Sequence, residues 1–282
     1  MTNKSFLLVE KYTDYEYFLQ QKPDATTEQL QFLLKDHQQH QKTKGLLIDF
    51  LKSQEVQFKL IRANQIETVS YKDYTSIISL GGDGTFLKAA KKINKQEILG
   101  VNTVPKKSVG YLAKATSKNF QEVILKMISG NCQVDLWDRI GVILNGKKLD
   151  FCAINEIFVG VSAIYKTSHL SVQTDSGTSK FSGNGLIVST FQGSSGFYQS
   201  SGGAYFEEDN FGFVFLFPYK VKGDVHANMV LGKNSKLQIS PNRFHHELVF
   251  DGDETTEIAL DQDDKLEVFL DPTKKLRVVS VE

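Results

Sequence analysis

Apolar positions in the first hundred residues fall into short runs separated by stretches with helical spacing. The runs at 5–9, 57–61, 76–80 and 97–101 have the length of buried strands. Between them, Leu30, Leu33, Leu34, Leu47, Phe50 and Leu51 share one face of a long helical pattern over 26–54, with Thr26 or Thr27 as its cap. A second helix is predicted over 85–93. Alternation of this kind predicts a parallel sheet covered by helices, with ligands held beyond the carboxyl ends of the strands.

The pattern changes after a last predicted helix over 118–129. Asn145-Gly146 separates two runs as a type I′ hairpin turn would, and further runs follow at 169–174, 186–190, 211–219, 236–240, 246–251, 256–260 and 265–270. Gly, Asn, Asp and Ser clusters punctuate them, as in a two-sheet sandwich. The predicted fold is an α/β N-terminal domain with a mostly parallel sheet, plus an all-β, two-sheet C-terminal domain. Its expected boundaries are 1–115 and 116–266, with a tail of about 267–282 able to return to the first domain. A chain of 282 residues is long enough for two such cores.

Composition narrows the partners. Lys plus Arg and Asp plus Glu each total 33, so no global field favours nucleic acid or an anionic membrane. The opening residues lack a signal-type apolar run, and no segment approaches 18 apolar residues, so the expected location is cytoplasmic with no membrane partner. Cys132 and Cys152 are expected to be free, inert thiols in a reducing compartment.

The sharpest chemical signal is Gly81-Gly82-Asp83-Gly84-Thr85, where an apolar strand runs into three glycines and a helix begins at once. Gly81, Gly82 and Gly84 would let backbone N–H groups approach phosphate oxygens, and the helix N-terminus at Thr85 would favour an anion. Asp83 beside phosphates would hold Mg²⁺, accept a proton or hold a hydroxyl. The competing reading is a tight turn with Asp83 as a helix N-cap. The turn is neither a Walker A loop nor a GxGxxG fingerprint.

A second stretch, residues 182–203, has Gly or Ser at 12 of its 22 positions between apolar flanks. It suits a loop lying against a nucleotide, with Phe197 or Tyr198 available to cover a base; a flexible surface loop is the alternative. Asn155-Glu156 interrupts an apolar run, which is costly to bury unless something pairs with it. Asp251, Asp253 and Glu254, the Asp261–Asp264 cluster and His245-His246 read as turns and strand ends, not as metal ligands.

Taken in chain order, Gly-Gly-Asp-Gly-Thr, Gly100-Val-Asn102, Val109-Gly-Tyr111-Leu112, Asn155-Glu156 and Gly-Leu-Ile-Val-Ser-Thr before a Gly-Ser-Ser loop resemble the NAD kinase family. The resemblance spans about 76–203 and implies a nucleotide cleft, Mg²⁺ brought with ATP, NAD as acceptor, and a homodimer or homotetramer. It implies that Asp83 is the proton acceptor, with Gly84 beside it at the dinucleotide. By the same resemblance Tyr111 lies near the adenine, Asn155 and Glu156 bind the ribose and phosphate region, and Ser195, Gly196 and Ser200 hold the adenosine.

Departures fall on the acceptor side. Asn184, also counted with the dinucleotide-binding residues, stands where the family pattern has Asp, and Ser182 where it has Arg. Gly196-Phe197 replaces Ala-Tyr, Phe191 replaces a Pro, and the link from Asn102 to Leu112 is lengthened by a segment with Lys106 and Lys107, similar to the mitochondrial-type branch. Phosphoryl transfer from ATP to the adenosine ribose 2′-OH of NAD is the expected function. The alternatives are a lipid or sugar kinase sharing the Gly-rich turn, or a nucleotide sensor without turnover.

Overall fold

The computed structural model describes residues 4–23, 27–107, 110–219 and 228–281. Val109 of the expected Val-Gly-Tyr-Leu motif and Thr26 of the expected cap lie outside them. Within the described residues the chain forms two compact units, 1–136 with 276–282, and 137–275.

The first unit runs β1 (Ser5–Glu10), α1 (Asp14–Gln21), α2 (Thr27–Ser53), β2 (Gln57–Arg62), β3 (Ser76–Gly81), α3 (Asp83–Ala90), β4 (Glu97–Asn102), α4 (Phe120–Ser129) and β5 (Val134–Trp137). Its sheet has the order β2-β1-β3-β4, continued by the chain's last strand and then β5. β1 pairs in parallel with both β2 and β3, and β3 with β4. All six residues of β3 are buried, which explains its unbroken apolar run: a parallel strand is covered on both faces. Leu47 and Leu51 of α2 and Phe120, Ile124 and Met127 of α4 bury one face of this sheet. Helix α4 and strand β5, expected in the second domain, pack with the first.

The second unit contains β6 (Ile140–Leu144), β7 (Lys147–Ala153), β8 (Glu156–Gly160), β9 (Ser168–Thr174), β10 (Gly177–Gly183), β11 (Gly185–Thr190), β12 (Asn210–Leu216), β13 (Met229–Gly232), β14 (Leu237–Pro241), β15 (His246–Phe250), β16 (Asp253–Leu260) and β17 (Leu266–Leu270). Then β18 (Leu276–Val279) returns the chain to the first unit, pairing in parallel with β4. Two six-stranded sheets, β10-β9-β14-β17-β6-β7 and β13-β12-β11-β8-β15-β16, enclose one apolar core. Asn145 and Gly146 both take positive φ (51° and 82°), as the hairpin turn required. β11 is buried on both faces: Leu186 and Val188 enter the core, while Ile187 packs with Val214, Phe206 and Tyr198 on the other side.

Candidate functional site

The site residues expected in the first unit gather at the carboxyl edge of its sheet. β3 ends at Gly81, and Gly82 is the N-cap of α3, with its carbonyl accepting from the N–H groups of Thr85 and Phe86 at 3.0 and 3.1 Å. Asp83 is therefore the first residue of the helix and not its cap, which overturns the N-cap reading. Its carboxylate reaches across to the 111–113 segment instead. Oδ2 accepts the Tyr111 N–H at 3.0 Å, and Oδ1 accepts the Leu112 and Ala113 N–H groups at 2.9 and 3.0 Å. That segment is fixed from its other end by reciprocal backbone bonds of Ala115 with Gly100 and Asn102.

The glycines of this turn differ in what they do. A Cβ at Gly81 would collide with the Thr85 side chain, so that glycine permits a tight strand-to-helix packing. Thr85 is buried by the same contact. Gly84 is exposed and has open space where a Cβ would stand, so its backbone is free for close approach by a ligand. Tyr111 is exposed beside the Asp83 carboxylate. Lys107 forms ion pairs with Asp14 at 2.5 Å and Asp36 at 3.3 Å.

In the second unit, Asn155-Glu156 makes the turn from β7 into β8. The Asp251 carboxylate organises it: Oδ1 accepts the N–H groups of Ile154, Asn155 and Glu156 at 3.0, 2.7 and 3.3 Å, and Oδ2 accepts that of Ile154 at 2.9 Å. The strand after the turn is locked to β11, where Thr190 N–H donates to the Asn155 carbonyl at 2.8 Å and Thr190 Oγ1 to the Ile154 carbonyl at 2.6 Å. Gly193 packs against the Asn155 backbone so closely that a Cβ would overlap it. Among the described residues Asn155 Oδ1 is enclosed and accepts no hydrogen bond, an acceptor left for a donor group.

Burial, with the neighbouring Asp251 charge second, pushes Glu156 up to about 7. Burial also pushes Asp251 up to about 6, against the pull of its three backbone donors and Arg139. The hydrogen bonds favour the charged form of Asp251, so Glu156 is the carboxyl that keeps its proton toward neutral pH. The sequence reading took Asp251 for a turn residue. It does occupy a turn, with φ 51° followed by Gly252 at 63°, but its side chain serves a segment 96 residues earlier.

The Gly-Ser stretch forms a helical turn over Ser194–Tyr198. Tyr198 is fully buried against Phe206, which removes it as a base cover; Phe197 is exposed. Ser195 is half-buried, Gly196 is exposed with open space at its Cβ position, and the Ser200 hydroxyl donates to the Gly196 carbonyl at 3.0 Å. Asn184 is buried, and its amide donates to the Val161 carbonyl at 3.4 Å. Asn184, Phe197 and Ser200 line a cavity of about 880 Å³ with Phe158, Phe217 and Glu247. Ser182 is paired with His169 Nδ1 at 3.0 Å.

Among the described residues no group of three or more His, Cys, Asp or Glu side chains gathers as metal ligands. Asp83 is the hard oxygen donor at the Gly-rich turn, a donor type that suits Mg²⁺ shared with phosphate oxygens. Among the described residues no helix is long and apolar enough to cross a membrane.

Residues 6–132 match the family model of the ATP-NAD kinase N-terminal domain. A probable NADH kinase of Oryza sativa subsp. japonica is 30% identical over 186 residues, which cover 58% of this chain and 57% of the rice protein. NAD kinase 2 of Oceanobacillus iheyensis is 29% identical over 203 residues, covering 70% of this chain and 72% of that protein. Among solved structures, the NAD kinase from Archaeoglobus fulgidus in complex with ATP has a TM-score of 0.71 at 21% identity, covering 99% of this chain and 94% of its own. Yeast NADH kinase complexed with NADH has a TM-score of 0.74 at 16% identity, covering 100% and 85%. At these identities the structural likeness is one of fold, and the α/β unit followed by two antiparallel sheets is that fold.

Proposed function

From a chain whose residues 6–132 match the ATP-NAD kinase N-terminal domain, we propose that the protein transfers the γ-phosphoryl group of ATP to the adenosine ribose 2′-OH of NAD, giving NADP and ADP. The observation that carries the reading is the Asp83 carboxylate, held by three backbone N–H groups at the carboxyl edge of the sheet beside the open backbone of Gly84.

In this reading the ribose oxygen forms its bond to the γ-phosphorus as the bond to the β-phosphate oxygen breaks, and Asp83 takes the hydroxyl proton. Phosphoryl transfer has a loose transition state, so positioning and charge neutralisation supply most of the rate. Asp83 is held in place by the 111–113 amides and needs only to receive a proton late in the transfer. Gly82 and Gly84 offer backbone N–H groups to phosphate, while Gly81 and Thr85 shape the turn. Mg²⁺, entering with ATP, would neutralise charge on the phosphates, with Asp83 as the protein oxygen available to it.

In the second unit, Asn155 and Glu156 are assigned to the dinucleotide, supported by the free acceptor at Asn155 Oδ1, which suits a sugar hydroxyl. Tyr111, Ser195, Gly196 and Ser200 are assigned to its adenosine side, with Phe197 as the aromatic surface in place of Tyr198, and Asn184 to the dinucleotide through the cavity it lines. Self-association is part of the reading, supported by the exposed Ile164, Tyr165, Phe217 and Tyr219.

The test is ADP release coupled to detection of the phosphorylated product, across NAD, NADH, diacylglycerol, sphingosine and fructose 6-phosphate. NADP formation is the expected result. Transfer only to a lipid or sugar, or nucleotide binding with no ADP release from any acceptor, would overturn it.

A further inference from the structure

The Gly-rich turn carries no lysine of its own, whereas phosphate cradles of the Walker type supply one from the loop itself. The sheet order shows where one could come from. β1 connects to β2 on one side and the chain then returns to β3 on the other, so the topology reverses at the crevice beyond the carboxyl ends of β1 and β3. Ligands of open parallel sheets bind at that reversal. Gly81 lies at the end of β3, and Lys11 follows the last residue of β1.

Lys11 continues the ladder, its N–H donating to the Leu80 carbonyl at 2.9 Å, and its Cβ lies 3.1 Å from the point where a Cβ on Gly81 would stand. The neighbouring charges are already matched. Glu10 contacts Lys44 at 3.0 Å and Arg62 at 3.0 Å, and His40 faces it at 3.6 Å. Glu16 is held by Arg62 at 2.9 Å, and Asp14 and Asp36 by Lys107. Among the described residues Lys11 makes no ion pair. Desolvation holds its ammonium below the usual lysine range, Lys107 adding to this while Asp14, Asp36 and Glu16 pull the other way. A desolvated cation without a contact partner is costly, and an arriving phosphate relieves that cost.

We infer that Lys11 is a donor-phosphate-binding residue, the cation that contacts the ATP phosphates over the Gly81–Gly84 turn from the adjacent strand. Lys107, in the lengthened link, is committed to Asp14 and Asp36. The inference rests on the kinase reading for the identity of the nucleotide, but its test has readouts that do not.

With the full chain, Lys11→Met should raise the ATP KM roughly tenfold or more and leave the NAD KM within about twofold, the size of one lost charge-assisted hydrogen bond, with Lys11→Arg recovering most of it. Inorganic tripolyphosphate should raise the melting temperature of the wild type and Lys11→Arg but not of Lys11→Met. Should Lys11→Met fail to fold, wild-type protein treated with a lysine acetylating reagent gives the answer by mass spectrometry: saturating ATP should slow Lys11 modification by about threefold or more. An unchanged ATP KM in Lys11→Met, or Lys11 modification indifferent to ATP, would overturn the inference. A wild type that binds tripolyphosphate through Lys11 yet phosphorylates no dinucleotide sinks the acceptor reading and leaves Lys11 in place.

Discussion

One aspartate in each unit gathers three consecutive backbone N–H groups: Asp83 those of residues 111–113, Asp251 those of residues 154–156. The device is the same and the surroundings differ. Asp83 is half-buried next to the exposed Gly84 and Tyr111. Asp251, also half-buried, sits beside a second half-buried carboxyl, Glu156, and the buried Arg139. A carboxylate holding a loop beside exposed backbone keeps lone pairs for a substrate proton, whereas one placed beside another acid serves its own segment and sets that neighbour's charge. The comparison separates a proposed reacting group from a positioning group that uses the same hydrogen bonds.

The largest expected effect is on turnover. Asp83→Asn should lower kcat by about 10² to 10⁴, because an amide keeps an acceptor for the loop and the ribose but cannot take a proton. Calorimetry on the same preparation should find dinucleotide binding changed by no more than a few-fold. Near-wild-type turnover would remove Asp83 from the proton-acceptor role and make the two aspartates alike.

Asp251→Asn should act on stability instead. The amide presents one acceptor and one donor group to three N–H groups that make four hydrogen bonds with Asp251, so urea denaturation should show a loss of about 2 kcal/mol, against about 1 kcal/mol for Asp83→Asn, which loses part of three. Equal losses would erase the distinction between the two surroundings.

Glu156 sharpens the contrast through pH. Its folded value of about 7 lies above its ordinary 4.5, so its contribution is fully present below about pH 4.5 and is lost as pH rises through about 7. Glu156→Gln should therefore flatten stability over that window and leave the variant more stable at pH 8, with a ceiling on the order of 3 kcal/mol. Parallel pH profiles of wild type and variant would contradict the upward shift at Glu156.

The smallest effect is expected at Asn184. Asn184→Asp loses the donor to the Val161 carbonyl, at a cost of about 1 kcal/mol, and should shift the ratio of kcat/KM for NAD over NADH toward NAD by at most about tenfold. A ratio that stays fixed or moves toward NADH would show that this cavity residue does not read the nicotinamide charge.

What the sequence determined by itself was local. The apolar runs that became β1, β3, β4 and β11, the glycines that let β3 turn directly into α3, and the Asn145-Gly146 hairpin all depend on neighbours a few residues away, where periodicity and backbone preference are written. β10 was missed because Gly-Thr-Ser-Lys-Phe-Ser-Gly is an edge strand with four exposed residues and little apolar signal. The tertiary structure alone decided which residues meet. Asp83 reaches Leu112 and Asp251 reaches Asn155 across 29 and 96 residues; β18 joins β4, and Lys11 comes beside Gly81, through sheet pairing. A side chain's hydrogen bond to a distant backbone leaves no spacing in the chain, because it is the order and register of strands that bring the two together.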